Sequence, residues 1–182
     1  MYGFKTIIIK MKFLKFLLKF IVVLLVLFFL SGLIFPKTTY TTTQQVNLPV
    51  DKAFELYTNA NNRKRWHLGL QSIRTEEEKP GTVGNKYAIV MEVQGTFTKM
   101  KQIVTKYKKP QQINYSTQSS EMIKEEVVTF IRLNEQTLIT NEASTEGKTY
   151  LLKCLYASFF YLIKMEDQAI LDNFKTYAET LK

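Results

Sequence analysis

The sequence predicts an α+β fold in which a strongly curved antiparallel sheet of about seven strands wraps one long C-terminal helix, behind a single N-terminal transmembrane helix. Three observations carry this reading. An uncharged apolar stretch lies near the start, strand-like runs separated by short turn signals fill the middle, and apolar residues return at helical spacing from Thr149 onward, where neither Gly nor Pro occurs.

Phe20 to Phe35 carries no charge and extends roughly 24 Å as a helix, a little less than a roughly 30 Å hydrocarbon core. Counting back to Phe16 closes the gap, because Lys19 can reach its amine toward the headgroups while its methylenes stay in the apolar layer. A removable signal peptide would share the basic start and apolar middle. Its cleavage pattern is poor here, since cuts after Ser31 or Gly32 put Phe29 or Leu30 at the third position upstream, and no nearby cysteine suits lipoprotein processing. The stretch therefore reads as an uncleaved signal anchor over residues 1–36, followed by one domain over residues 38–182. Lysines 5, 10, 12, 15 and 19 precede the span with no acidic residue among them, and only Lys37 follows closely. That bias places the N-terminus in the cytoplasm and the C-terminal domain outside it.

Thr38 to Asn47 is rich in β-branched and aromatic residues and reads as a strand. Pro49 and Asp51 then suit a first helical turn, with Val50, Phe54 and Tyr57 on one side and the Asn run from Asn59 as its end; a second short turn follows around Arg63 to His67. Strands are expected near Leu70–Thr75, Lys86–Val93, Thr96–Tyr107, Gln111–Thr117, Glu121–Leu133 and Thr137–Ser144. The intervening "KPGTVGN", "QG", "KKP", "QSS" and "NEQ" are short enough for hairpins. The terminal helix carries Leu152, Leu155, Phe159, Ile163, Ile170 and Phe174 and is expected to break, if anywhere, near Lys164 to Asp167. One long amphipathic helix must bury its stripe, and a curved sheet is the partner available, an arrangement that encloses a cavity.

Setting aside the five leader lysines lowers the formal charge from +9 to +4, and no basic stripe interleaved with aromatics survives. A nucleic-acid partner is therefore not expected. The lone Cys154 excludes an internal disulfide, and with His67 as the single histidine the chain offers little for a metal site. "GTVGN" has two glycines but lacks the strand-glycine-helix setting of a phosphate cradle and reads as a turn. No cofactor is implied.

The segments "VNLPVDKAFELYTNANNRKRWHLGLQSI", "PGTVGNKYAIVME", "VTKYKKPQQINY", "VTFIRLNEQTLITNEA" and "DNFKTYAETLK" together resemble the SRPBCC superfamily. These are the START-like helix-grip domains that include polyketide cyclase/dehydrase and lipid-transport families. The likeness runs from Tyr40 onward, and the "LIFPKTTYTTTQQVNLP" join looks like membrane-anchored members. The resemblance implies a hydrophobic cavity for small apolar or lipid-like molecules and, in only some members, an enzyme. It also implies that Trp66 packs at one end of that cavity.

Candidate cavity residues are Trp66, Tyr87, Met91, Phe97, Tyr115, Phe130, Phe159 and Ile163. Aromatic and methionine side chains give a wide, adaptable lining, although strand alternation lets only half of any strand face inward. Glu92, Lys99, Lys101, Glu125 and Glu126 read mainly as solvated outer-face charge. No local motif marks a catalytic residue; His67 or a pocket carboxylate is the group suited to acid or base work. "YLLKCLYASFFYLIKM" is apolar nearly all round, which suits either a buried helix start or a segment at headgroup depth. Three functions remain in view: a membrane-anchored module binding a lipid or other hydrophobic small molecule, a cyclase- or dehydratase-type enzyme in the same cavity, and a protein-interaction domain of the envelope.

Overall fold

A computed structural model describes the backbone of residues 2–80, 82–93 and 95–181, and the side chains of that set from Phe13 onward except Val93. The turns expected at "GTVGN" and "QG" each include a residue outside that set, Gly81 and Gln94. The chain runs α1 (Tyr2–Ile34), β1 (Lys37–Val46), α2 (Val50–Thr58), α3 (Ala60–Arg63), β2 (Leu70–Glu77), β3 (Lys86–Val93), β4 (Thr96–Lys108), β5 (Gln112–Gln118), β6 (Met122–Leu133), β7 (Gln136–Gly147), α4 (Tyr150–Ser158) and α5 (Phe160–Glu179).

All seven strands form one antiparallel sheet in the order β1-β7-β6-β5-β4-β3-β2. From β2 to β7 each strand pairs with the next in sequence, so short hairpins build six strands of the sheet. The exception is β1, which pairs with β7 from Lys37↔Glu146 to Val46↔Thr137. The two short helices α2 and α3 therefore carry the chain from one edge of the sheet to the other. Alternation then decides which side chains face the helix: Ile113, Tyr115 and Thr117 on β5, and Thr137, Ile139, Asn141, Ala143 and Thr145 on β7, are buried while their neighbours are more open.

An aromatic cluster seats α5. Phe174 is fully buried, with its ring 5.0 Å from Trp66 and 5.1 Å from Tyr57. Tyr57 in turn meets Phe130 at 5.4 Å, and Phe130 meets Phe54 at 5.1 Å. All four pairs are edge-to-face, an arrangement that the ring quadrupoles favour. This cluster fills the space beneath the C-terminal half of α5. The half that begins at Phe160 has no comparable plug.

The break in the terminal helix falls at Phe159 (φ −116°, ψ 24°), not at Lys164–Asp167. The polar stretch continues as helix because Asp167, its buried carboxylate, has partners inside: it accepts from the Tyr40 hydroxyl at 2.9 Å and from Lys124 Nζ at 2.7 Å. The turn occurs instead where the helix changes neighbours, α4 lying on α1 and β7 and α5 on β1.

α1 includes a 22-residue stretch, Phe13–Ile34, long and apolar enough to cross a membrane. Its last turns pack closely on α4. A Cβ placed on Gly32 would lie 2.4 Å from Cys154 Sγ and 2.8 Å from the Cys154 backbone nitrogen, so only glycine permits this approach. Ser31 stands beside it, its hydroxyl 3.1 Å from that of Ser158.

Phe174→Ala is expected to cost about 3–5 kcal/mol, read as a lowered urea midpoint in detergent. Gly32→Val should lower thermal stability while leaving the sheet's circular dichroism intact, because it separates α1 from α4 without touching the aromatic cluster.

Candidate functional site

Under the N-terminal half of α5 lies a cavity of about 300 Å³, at the lower end of the roughly 300–1,000 Å³ typical of small-molecule sites. Its apolar wall comes from Leu70 on β2, Ile89 and Met91 on β3, Met100 on β4, and Ile163 and Ile170 on α5. Its polar end gathers Arg63 at the end of α3, Gln102 on β4, Thr117 on β5, Lys124 and Glu126 on β6, and Asp167 on α5. A smaller void of about 30 Å³ adjoins this end, bordered by Tyr57, Arg63, Trp66, Tyr115 and Asn141.

The sequence-derived candidates divide among these places. Met91 and Ile163 line the main cavity, and Trp66 and Tyr115 line the small void. Tyr87 stands behind them, its ring 6.0 Å from the Arg63 guanidinium and bordering a surface recess shared with Tyr107 and Asn59. Phe130 belongs to the aromatic plug. Phe97 and Phe159 lie off the cavity, 64% and 52% exposed. On β4 the even positions Thr98, Met100 and Gln102 look inward, which turns Phe97 out, and Phe159 occupies the corner between α4 and α5.

The polar end was less legible. Glu126, read as outer-face charge, points inward, because Lys124, Glu126, Val128 and Phe130 share one face of β6. The anchor of that face, Phe130, was visible in the sequence, and counting back by twos from it reaches both charges. Lys124 Nζ sits 3.1 Å from Glu126 and 2.7 Å from Asp167. Burial works against its ammonium, but the two carboxylates outweigh that and hold its pKa well above the usual lysine range. Burial likewise opposes the Glu126 carboxylate, and Lys124 overcomes it to leave the pKa low. Asp167 goes the other way: burial, reinforced by Glu126, pushes its carboxyl up despite Lys124. Burial also raises the Tyr40 phenol that donates to Asp167 and pushes Tyr115 up to about 12.

His67 borders both the cavity and the small void. Its Nδ1 lies 3.1 Å from the Leu68 carbonyl oxygen, which leaves Nε2 as the free ring nitrogen when Nδ1 carries the proton. Burial lowers the imidazole pKa from 6.5 to about 4, so the ring is neutral at physiological pH.

A curved seven-stranded antiparallel sheet, a helix gripped across it and an unfilled interior define a START-like helix-grip domain. The family model described as activator of Hsp90 ATPase homolog 1-like protein matches residues 47–152, and the chain belongs to that family. No curated protein matches the sequence. Similar solved structures include a protein from Thermus thermophilus (TM-score 0.67, 9% identity, 80% of this chain and 99% of that one). The Zhui aromatase/cyclase from a Streptomyces species also matches (TM-score 0.66, 13% identity, 79% and 94%). So does a START superfamily protein from Mycobacterium smegmatis (TM-score 0.64, 13% identity, 79% and 99%). At these identities the likeness is one of fold.

Between pH 6.5 and about 4 the unfolded chain takes up a proton that folded His67 refuses, so stability falls as pH drops through that window. His67→Gln should flatten that part of the stability curve, measured from urea midpoints at successive pH values; an unchanged slope would exclude His67 as its source.

Proposed function

We propose that the chain is a membrane-anchored binding module that takes a lipid or other hydrophobic small molecule into the cavity beneath α5. The observation that carries this reading is the cavity itself: about 300 Å³ with one wall of Leu, Ile and Met side chains and a polar end, in a protein interior that is otherwise packed to crystal-like density. Burying an apolar ligand there gains roughly 25 cal/mol per Å² before the ordering costs of binding.

Membrane placement is supported from two sides. α1 includes a stretch, Phe13–Ile34, long and apolar enough to cross a membrane, and in this reading the basic N-terminal segment lies on the cytoplasmic side and the domain from residue 38 outside. The corner from Phe159 to Leu162, with Met165, also exposes large apolar side chains next to the end of α1 that packs on α4. Tyr and Phe at that corner suit headgroup depth. Ile163, in the same turn, reaches the cavity wall, so the anchored pocket would open beside a reservoir of apolar ligands.

A second reading, a cyclase- or dehydratase-type enzyme, draws on one observation: His67 borders the cavity as a neutral base. A reacting proton within hydrogen-bond reach of Nε2 is its further requirement.

Mass spectrometry of the detergent-purified full chain should recover a hydrophobic small molecule that Ile163→Trp displaces. The substitution should weaken binding by about tenfold or more, roughly 1.4 kcal/mol per decade, while the thermal midpoint stays near that of the parent. A parent chain that carries no such molecule and binds no apolar probe would overturn the proposal.

A further inference from the structure

The small void beside the cavity borders two carboxylates, Glu126 and Asp167, that Lys124 already engages, together with a set of buried donors that have no partner. Four groups that border it have polar atoms with no hydrogen-bond partner within the protein: Arg63 Nε, Trp66 Nε1, the Tyr115 hydroxyl and Asn141 Oδ1. Arg63 and Trp66 can only donate, Tyr115 can do either, and Asn141 alone offers a bare acceptor. All four side chains are more than nine-tenths buried, where an unpaired polar group is costly.

Arg63 is the most exacting of them. Lys124 occupies both nearby carboxylates, Glu126 and Asp167, and among the described residues no carboxylate lies within 4.0 Å of the Arg63 guanidinium. Its one hydrogen bond goes to the Gln102 side-chain oxygen, and Gln102 is fixed in that orientation by donating to Thr117 Oγ1 at 3.0 Å. The remaining support is the face of Tyr115, 4.5 Å from the guanidinium carbon. A buried cation held by a neutral amide and a ring is matched best by an anion.

The geometry points to a single-chain amphiphile with a carboxylate head, seated with its oxygens at Arg63, Trp66 and Tyr115 and its chain along Met91, Met100 and Ile163. The assignment rests on the cavity reading above and adds the head-group chemistry. The small void is large enough for one or two oxygens, and the main cavity takes a short chain better than a whole two-chain lipid.

The test uses the detergent-solubilised full chain and native mass spectrometry with equal concentrations of decanoic acid, methyl decanoate and decylamine. The parent chain should retain the acid over the amine by about tenfold or more, the worth of one charge-assisted hydrogen bond. Its acid-to-ester ratio should fall by a similar factor in Arg63→Met; since both proteins see the same micelles, partitioning cancels from that comparison. Arg63→Lys should keep part of the preference. Equal retention of acid and amine by the parent overturns the head-group assignment even if Arg63→Met fails to fold, and so does an unchanged acid-to-ester ratio in a folded variant. If the parent binds none of the three probes, the cavity reading fails and the assignment goes with it.

Discussion

The wedge of Phe174 between Tyr57 and Trp66 is the contact on which the rest of the structure depends. It ties the last half of α5 to α2 and to the turn after α3, the same segment that carries the chain across the sheet between β1 and β2. With that end fixed, the curvature of the sheet determines how far the first half of α5 stands from β3 and β4. The space left over is the cavity. A plug at one end and a hollow at the other are two results of a single packing decision, because one helix cannot fill a concave surface along its full length.

The polar end of the cavity follows a different logic. Lys124, Glu126 and Asp167 form a compact set in which one ammonium serves two carboxylates, and Tyr40 donates to the second. Buried ion clusters of this kind are weak sources of net stability, since desolvation consumes much of the Coulomb gain. Their effect here is geometric. They join β6 to α5 and, through Tyr40, to β1, holding the helix over the hollow by directional contacts where apolar packing is thin.

Much of the fold was legible in the sequence because period and punctuation agree: β3 begins and ends where alternation and turn residues place it, and the strands from β4 to β7 differ mainly by a residue or two at their ends. The helix break was not legible. Lys164–Asp167 looked like an interruption because its partners, Tyr40 and Lys124, are distant in sequence, while Phe159 carries no local signal of a turn. The candidate site was legible by half for the same reason. Met91 and Ile163 announce themselves as apolar residues on predicted elements, but the roles of Arg63 and Glu126 depend on register and on a helix packed from the far end of the chain.

The close seat of Gly32 on Cys154 makes α1 a structural member of the fold, since its final turns pack directly on α4. An arbitrary greasy helix could not replace it, because any side chain at position 32 would collide with α4 before the two backbones met. Loss of α1 would remove the backbone that sits against the Cys154 sulfur, so the chemical reactivity of that thiol becomes a built-in reporter of whether α1 is seated.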